Sequence, residues 1–294
     1  MELKIKNLTK TYNNGVKALD NVDLEIGPGM FGLLGPNGAG KSSLMRTIAT
    51  LQSPDSGSIQ FGDIDVLHDN NALRRVLGYL PQEFGVYPNL SAEALLNYFA
   101  ELKGISNRKD RQKIVESVLQ ITNLYDFRNK SVSGYSGGMK QRFGIAQMLL
   151  NDPKLIIVDE PTAGLDPAER HRFLNVLREI SAQHTVIFST HIVDDVRELC
   201  HELAIMNGGK VLFRGSTQAG TESLNGKIWQ KKIERAEFET ENLRYNIISS
   251  NYNQDNTLNI RVYQESLPDE SFSLATPILE DVYFVTLKSD LVNV

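Results

Sequence analysis

The stretch Gly35-Pro36-Asn37-Gly38-Ala39-Gly40-Lys41-Ser42 decides the fold of this chain. It matches the pattern G-x-x-x-x-G-K-[ST] at every fixed position. A short apolar run, Phe31-Gly32-Leu33-Leu34, leads into it, and residues 41–51 continue with the apolar spacing of a helix. Strand, glycine-rich loop and helix in this order form the context that a phosphate-binding loop requires. The sequence therefore predicts an α/β domain built around a nucleotide-phosphate site.

The residue types of this loop suit phosphate chemistry. Glycines let backbone N–H groups converge on phosphate oxygens, and the amino terminus of the following helix adds a favourable dipole. Lys41 can reach the β- and γ-phosphates, and the Ser42 hydroxyl can hold Mg²⁺. The residues assigned to nucleotide binding on this basis are Gly35, Pro36, Asn37, Gly38, Ala39, Gly40, Lys41, Ser42 and Ser43.

A second element is the apolar run of residues 155–158, which ends in Asp159 and Glu160. Acids at the carboxyl end of a parallel strand lie where such sheets bind ligands. We assign Asp159 as the Mg²⁺ ligand that accompanies a phosphate loop, and Glu160 as the general base for an attacking water. The two elements together predict a nucleoside triphosphatase or a kinase. GTPases are disfavoured, because Asn129-Lys130-Ser131-Val132 lacks the final acid of a guanine-recognition motif.

Between these elements lies Tyr135-Ser136-Gly137-Gly138-Met139, just before another helical stretch. A serine hydroxyl, bare backbone N–H groups and a helix dipole favour an anion here, although such a loop taken by itself is more often an ordinary helix N-cap. The order of phosphate loop, Ser-Gly-Gly loop and acidic strand end resembles the ATP-binding subunits of ABC transporters. The resemblance covers residues 1 to about 214.

Four further residues match that family. Tyr12 resembles the aromatic residue that stacks on adenine, and Gln82 resembles the glutamine that contacts Mg²⁺ and the attacking water. Asp166 resembles the D-loop acid of the nucleotide site, and His191 resembles the histidine that senses the γ-phosphate. Without the family they would be a turn tyrosine, a loop amide, a helix N-cap before Pro167 and a structural histidine.

The resemblance implies ATP and Mg²⁺ as cofactors and two kinds of partner, a membrane permease and a second ATP-binding subunit in a homodimer or heterodimer. ATP would be clamped between the phosphate loop of one subunit and Ser136, Gly137 and Gly138 of the other, with hydrolysis through Glu160, His191 and Gln82. We expect the chain at the cytoplasmic face of the cell membrane. The alternative is a soluble ABC ATPase that acts on ribosomes, DNA or cofactor assembly.

The sequence departs from the family's usual signature at two positions, where Tyr135 replaces Leu and Met139 replaces Gln. Met139 has no amide to hydrogen-bond the nucleotide ribose. Together with residues 78–90 and 277–283, the variant signature resembles the bacterial branch that exports antibiotics and peptides. Four apolar side chains after Gln82 predict a surface for the permease, and the alternative is that some of them pack under the helical insert: Phe84, Val86, Tyr87 and Leu90.

Composition limits the remaining possibilities. The chain has 294 residues and a formal net charge of −5, which suggests roughly two domains and argues against electrostatic coating of nucleic acid. No apolar run approaches the roughly 18 to 20 residues of a membrane span. One cysteine, Cys200, excludes an internal disulfide, and the first residues lack the apolar core of a signal peptide.

We therefore expect an α/β fold: a P-loop NTPase (RecA-like) core with an antiparallel β subdomain, a helical insert at about 85–151 and a small C-terminal α+β domain. The predicted domains are residues 1–214 and 215–294. Residues 214–226 are rich in Gly, Ser and Thr, which predicts a linker between them.

Overall fold

The computed structural model describes residues 1–82, 85 and 89–292. The strands are β1 (Leu3–Thr11), β2 (Lys17–Ile26), β3 (Gly29–Leu34), β4 (Ser56–Phe61), β5 (Ile64–Asp65), β6 (Leu77–Leu80), β7 (Leu155–Asp159), β8 (Thr185–Thr190), β9 (Glu202–Asn207), β10 (Lys210–Ser216), β11 (Ile228–Ile233), β12 (Ile247–Tyr252), β13 (Leu258–Tyr263) and β14 (Ser273–Leu274). The helices are α1 (Lys41–Ile48), α2 (Asn70–Val76), α3 (Ala92–Leu102), α4 (Arg108–Ile121), α5 (Gly137–Leu149), α6 (Pro167–Ser181), α7 (Val193–Leu199), α8 (Thr217–Glu222), α9 (Phe238–Arg244) and α10 (Leu279–Val292).

The amino-terminal strands form an antiparallel sheet with the order β2-β1-β4-β5. Leu3 and Ile5 of β1 are buried and alternate with exposed neighbours, as expected for a strand with one face on the core. Leu3 pairs with Ile26 on one side and with Phe61 on the other. The expected antiparallel β subdomain is confirmed.

Parallel strands lie side by side in the order β6-β7-β8-β3. Every residue of β7 and β8 is buried, which explains the continuous apolar runs 155–158 and 186–188. Leu34 is in register with Thr190, and Asp159 is in register with Ser189. The strand ends that carry the phosphate loop, the acidic pair and His191 therefore meet at one edge of the sheet.

The expected helical insert is formed by α3, α4 and α5. Ser91 caps α3 by accepting a hydrogen bond from the N–H of Ala94, and Asn107 caps α4. Apolar side chains from the three helices share one buried cluster, which includes Leu95, Leu119 and Phe143. The insert thus has a core of its own.

The chain divides into two compact units, residues 1–200 with 206–211 and residues 201–205 with 212–294. In the second unit a sheet with the order β12-β13-β11-β14 packs its apolar face into a core with Trp229 and Phe238. On the other face, Arg261 of β13 donates hydrogen bonds from Nε and Nη2 to both carboxylate oxygens of Asp281 of α10, at 2.8 and 2.6 Å.

The linker predicted for residues 214–226 is wrong. Strand β10 continues to Ser216, whose hydroxyl accepts a hydrogen bond from the N–H of Ala219 and so begins α8. A Cβ at Gly220 would lie 3.3 Å from a methyl group of Val282, so this glycine allows α8 to pack closely on α10. The small residues that suggested a flexible linker instead provide a helix cap and a close packing contact.

Candidate functional site

A cleft of about 610 Å³ opens at the strand edge that carries the phosphate loop. It is lined by Tyr12, residues 37–43, Gln82 and Glu160. The cleft thus brings the phosphate loop after β3 and Glu160 after β7 together, because both strands pair with β8 in the same parallel sheet. A larger apolar groove of about 730 Å³ lies among α4, α5 and α6 and contains none of the predicted site residues.

Lys41 and Glu160 form an ion pair at the base of the cleft. The Lys41 Nζ lies 3.2 Å from Glu160 Oε1, and only 4% and 10% of the two side chains are exposed. The same ammonium donates hydrogen bonds to the carbonyl oxygens of Gly35 at 2.7 Å and Pro36 at 3.1 Å. Lys41 is therefore held by a carboxylate and by the loop that precedes it.

Glu160 also contacts His191, whose Nδ1 lies 3.3 Å from Glu160 Oε2. Glu160 has a φ of +45°, an unusual conformation for a residue other than glycine. Its N–H donates to the carbonyl oxygen of Ser189 at 3.1 Å. The backbone therefore turns at the end of β7 and remains hydrogen-bonded to β8. As a result the Glu160 carboxylate lies between Lys41 and His191.

Two glycines of the phosphate loop are present for different physical reasons. A Cβ at Gly40 would lie 2.3 Å from the carbonyl oxygen of Ala18, and Gly40 has a φ of +102°. Gly38 has a φ of +83° and open space around its missing Cβ. Gly40 is thus required by close backbone packing, whereas Gly38 gives the backbone a left-handed turn beside open space.

Tyr12 follows β1 and is half-buried at the cleft. Its hydroxyl lies 3.0 Å from the Ser43 hydroxyl and donates to Gln52 Oε1 at 3.0 Å. Gln52 in turn donates to the carbonyl oxygen of Ser43. These hydrogen bonds fix the tyrosine ring relative to α1, the helix that begins with the phosphate loop.

The model of the ABC transporter family matches residues 19–163. An ABC transporter ATP-binding protein of Bacillus subtilis, YxlF, is 39% identical over 217 residues, which is 74% of this chain and 71% of that protein. The chain belongs to the ATP-binding proteins of ABC transporters. It is accordingly an ATPase subunit, with a P-loop NTPase core that binds and hydrolyses ATP.

Two other relatives of this ABC ATPase are informative. The daunorubicin/doxorubicin resistance ATP-binding protein DrrA of Streptomyces peucetius is 32% identical over 241 residues, 81% of this chain and 72% of that protein. The dimeric structure of the ATP-binding cassette MJ0796 in a post-hydrolysis state, bound to ADP and Pi, is 28% identical with a TM-score of 0.66. That match covers 73% of this chain and 98% of the cassette.

The donors for a metal are those that Mg²⁺ prefers. Ser42 and Gln82 line the cleft, and Asp159 is buried beside Glu160 with its Oδ1 accepting the Ser189 hydroxyl at 2.5 Å. Among residues 1–82, 85 and 89–292, no three or more His, Cys, Asp or Glu side chains group as a metal site. A hydroxyl, an amide and one carboxylate fit an ion that takes its other ligands from phosphates and water.

The Ser-Gly-Gly loop, residues 136–138, lies outside the cleft. The Ser136 hydroxyl accepts a hydrogen bond from the N–H of Met139 at 3.2 Å and so caps α5. Ser136 and Gly137 are exposed, whereas Gly138 is buried against Glu169 of α6. None of these residues lines the cleft. One chain therefore brings Lys41, Glu160 and His191 together but does not bring the Ser-Gly-Gly loop to them.

The two departures from the usual signature have structural explanations. Tyr135 is buried in the core of the helical insert, packs edge-on against Phe143, and donates its hydroxyl proton to the carbonyl oxygen of Phe127 at 2.8 Å. Burial raises the pKa of Tyr135 to about 12. Met139 packs partly buried against the same cluster. The variant side chains thus belong to the interior of the insert.

Asp166 lies at the amino end of α6, where its carboxylate accepts a hydrogen bond from the N–H of Glu169 at 2.9 Å and Pro167 is the first helical residue. It is an exposed helix N-cap and does not line the cleft. Leu90 is also exposed, and the other residues of the predicted permease surface, Phe84, Val86 and Tyr87, lie outside the described residues.

Sequence reasoning missed two residues that hold the site together. Ser189 supports Asp159 through its hydroxyl and Glu160 through its backbone, and Gln52 supports Tyr12. Ser189 is the first polar residue after the apolar run of β8, which is the available sequence signal. Gln52 follows α1 in a loop, and its partners become visible only in three dimensions.

Proposed function

We propose that this chain powers export of an antibiotic, a peptide or a similar small molecule through a separate membrane permease. Its membership in the ABC ATP-binding proteins supports the permease as partner, and its similarity to DrrA supports an exporter. In the part of the chain that the structure describes, no helix is long and apolar enough to cross a membrane. We place the working subunit at the cytoplasmic face of the cell membrane, docked on its permease.

The observation that carries this proposal is that one chain keeps the two parts of the predicted ATP site apart: the phosphate-loop cleft and the Ser-Gly-Gly loop. The cleft holds Lys41 and Glu160, while the exposed Ser136 and Gly137 lie outside it. Two chains arranged head to tail would place the Ser-Gly-Gly loop of one over the phosphate loop of the other. Because each chain carries both halves, a second copy suffices as the partner.

In this dimer the roles of the predicted residues follow from their contacts. Lys41, whose Nζ lies among carbonyl and carboxylate oxygens, would turn to the β- and γ-phosphates. The Glu160 carboxylate would take a proton from the attacking water, and His191, which already contacts it, would orient the carboxylate towards the γ-phosphate.

The other residues bind and orient the nucleotide. The phosphate-loop backbone would donate hydrogen bonds to the phosphates, Tyr12 would stack on adenine, and Ser136 to Gly138 would donate to the γ-phosphate from the partner. Asp166 would contribute at the border between the two chains. Ser42, Gln82 and Asp159 would hold Mg²⁺, which neutralises phosphate charge when bound.

Glu160→Gln tests the dimer. The variant removes the base and keeps the shape, so ATP should bind without turnover and the dimer should accumulate. Size-exclusion chromatography with saturating ATP should show a species of twice the mass. Glu179→Gln makes the same charge change at an exposed position of α6 and should leave turnover intact. A Glu160→Gln protein that stays monomeric with saturating ATP would contradict the proposal.

The permease surface is proposed on the helical insert. Tyr98 and Leu102 lie four residues apart on α3, and 51% and 67% of each is exposed. Residues at this spacing share one helix face, so the two side chains form an apolar patch that a cytoplasmic helix of the permease could cover. Tyr98→Asp should reduce permease-stimulated ATPase and leave basal ATPase unchanged.

Uptake of a drug into inside-out vesicles, rather than its loss, would support export.

A further inference from the structure

Asp195 of α7 is a charged side chain with no exposed surface. Its Oδ2 accepts the Thr162 hydroxyl at 2.7 Å, and its Oδ1 accepts Arg170 Nε at 2.7 Å. The Thr190 hydroxyl lies 3.5 Å from Oδ2. A fully buried carboxylate is stable only when such partners compensate it, so the two short contacts hold Thr162 and Arg170, and the Thr190 hydroxyl faces the same carboxylate at a longer distance.

Two of the three donors come from the segments that carry the proposed catalytic groups. Thr162 follows Glu160 by two residues, and Thr190 immediately precedes His191. The Thr190 hydroxyl also accepts the N–H of Ile192 at 3.0 Å, so it holds the backbone on both sides of His191. Arg170 belongs to α6, the helix that Asp166 caps.

One carboxylate thus contacts both the segment after β7 and the carboxyl end of β8. These segments carry the two sides of the contact between His191 Nδ1 and Glu160 Oε2, which spans 3.3 Å. The position of each segment depends on the same acceptor, so a change at Asp195 moves one partner of that contact relative to the other. Asp195 itself does not line the ATP cleft.

We propose that Asp195 is a positioning residue for ATP hydrolysis, which sets the Glu160–His191 contact through Thr162 and Thr190. The inference rests on the proposed roles of Glu160 and His191. The Asp195 carboxylate carries only acceptor oxygens, and so it can face the three donor groups described above. Asp195→Asn keeps the size but removes the negative charge that pairs with Arg170. Its NH₂ group would also turn Thr162 from a donor into an acceptor, so the arrangement of hydrogen bonds changes.

A double-mutant cycle with His191→Ala tests the inference. Asp195→Asn should lower kcat at least about tenfold, because small displacements of catalytic groups have large effects on rate. Thr162→Val, which removes one donor and keeps the shape, should lower kcat less. Both variants should keep the Kd for ATP within about twofold. In a His191→Ala background, Asp195→Asn should change kcat by less than about twofold, since the contact it positions is already absent.

Asp281→Asn is the matched control, because it removes the charge of another buried aspartate that pairs with an arginine, in the second unit. It should lower thermal stability and leave kcat per folded protein unchanged. If Asp195→Asn lowers kcat by the same factor with and without His191, its role is only structural and the inference is overturned. If Asp195→Asn does not fold, Thr162→Val decides by the same cycle. Wild-type kcat in His191→Ala alone would instead refute the proposed role of His191.

Discussion

Replacing Gly138 by alanine should destabilise the first unit, because Gly138 of α5 packs directly against Glu169 of α6. A Cβ at this position would lie 2.2 Å from Glu169 Oε2 and 2.7 Å from Glu169 Cβ. The Cβ of Glu169 is fixed to the backbone of α6, so a change of rotamer cannot remove the overlap. Alanine must therefore push the two helices apart.

The magnitude follows from what this displacement disturbs. Overpacking a tight contact costs about 1–3 kcal/mol. The displacement also weakens the ion pair between Arg142 Nη2 and Glu169 Oε2, which are 3.2 Å apart with only 7% and 14% of the side chains exposed. Loss of one partner of a buried pair costs about 3–5 kcal/mol. Glu169 keeps its contact with Arg172 at 2.6 Å, so we expect about 2–4 kcal/mol in total.

Urea denaturation followed by circular dichroism measures this loss, with Gly137→Ala as the matched control. The Gly137 Cβ would meet only a Leu165 methyl group at 3.9 Å, an ordinary contact. Alanine is the better helix former by about 1 kcal/mol, so Gly137→Ala should be neutral or stabilising. Equal free energies of unfolding for the two variants would refute the packing argument.

Three further predictions concern single side chains. Tyr12→Ala should weaken ATP binding by about 1–3 kcal/mol if the ring stacks on adenine, and Tyr12→Phe by much less; fluorescence titration measures both. Burial raises the pKa of Tyr135 to about 12, above its unfolded value near 10, so its stabilising contribution is complete below pH 10 and is lost as the pH rises towards 12. Urea midpoints at pH 9 and 11.5 should therefore fall less for Tyr135→Phe than for the wild type. Burial raises the pKa of the Cys200 thiol, so a thiol reagent at pH 8 should modify it only after unfolding; rapid labelling of the native protein would contradict this.

The parts that depend on local sequence could be predicted. The phosphate loop needs glycines at fixed positions, and β7 and β8 contain continuous apolar runs because they are buried on both faces. Strand direction then brings Lys41, Glu160 and His191 to one edge of the sheet, where the structure places them. Their chemical roles stay predictions.

The parts that depend on distant partners could not be predicted. Arg142 is paired with Glu169, 27 positions away, and Asp195 with Arg170, 25 positions away. In the sequence, each of these charges is typical of an exposed helix face. The prediction of a linker at residues 214–226 was wrong for a related reason. In the sequence, a glycine such as Gly220 looks the same whether it provides flexibility or close packing.

Mixing two inactive variants tests the central claim most directly. Lys41→Met removes the phosphate-loop cation, and Ser136→Arg blocks the Ser-Gly-Gly loop, so each variant alone should lack ATPase activity. A mixed dimer would contain one intact site, formed by the phosphate loop of the Ser136→Arg chain and the Ser-Gly-Gly loop of the Lys41→Met chain. The account predicts that ATPase activity returns when the two are mixed. A mixture that stays inactive at every ratio would contradict a site shared between two copies of this chain.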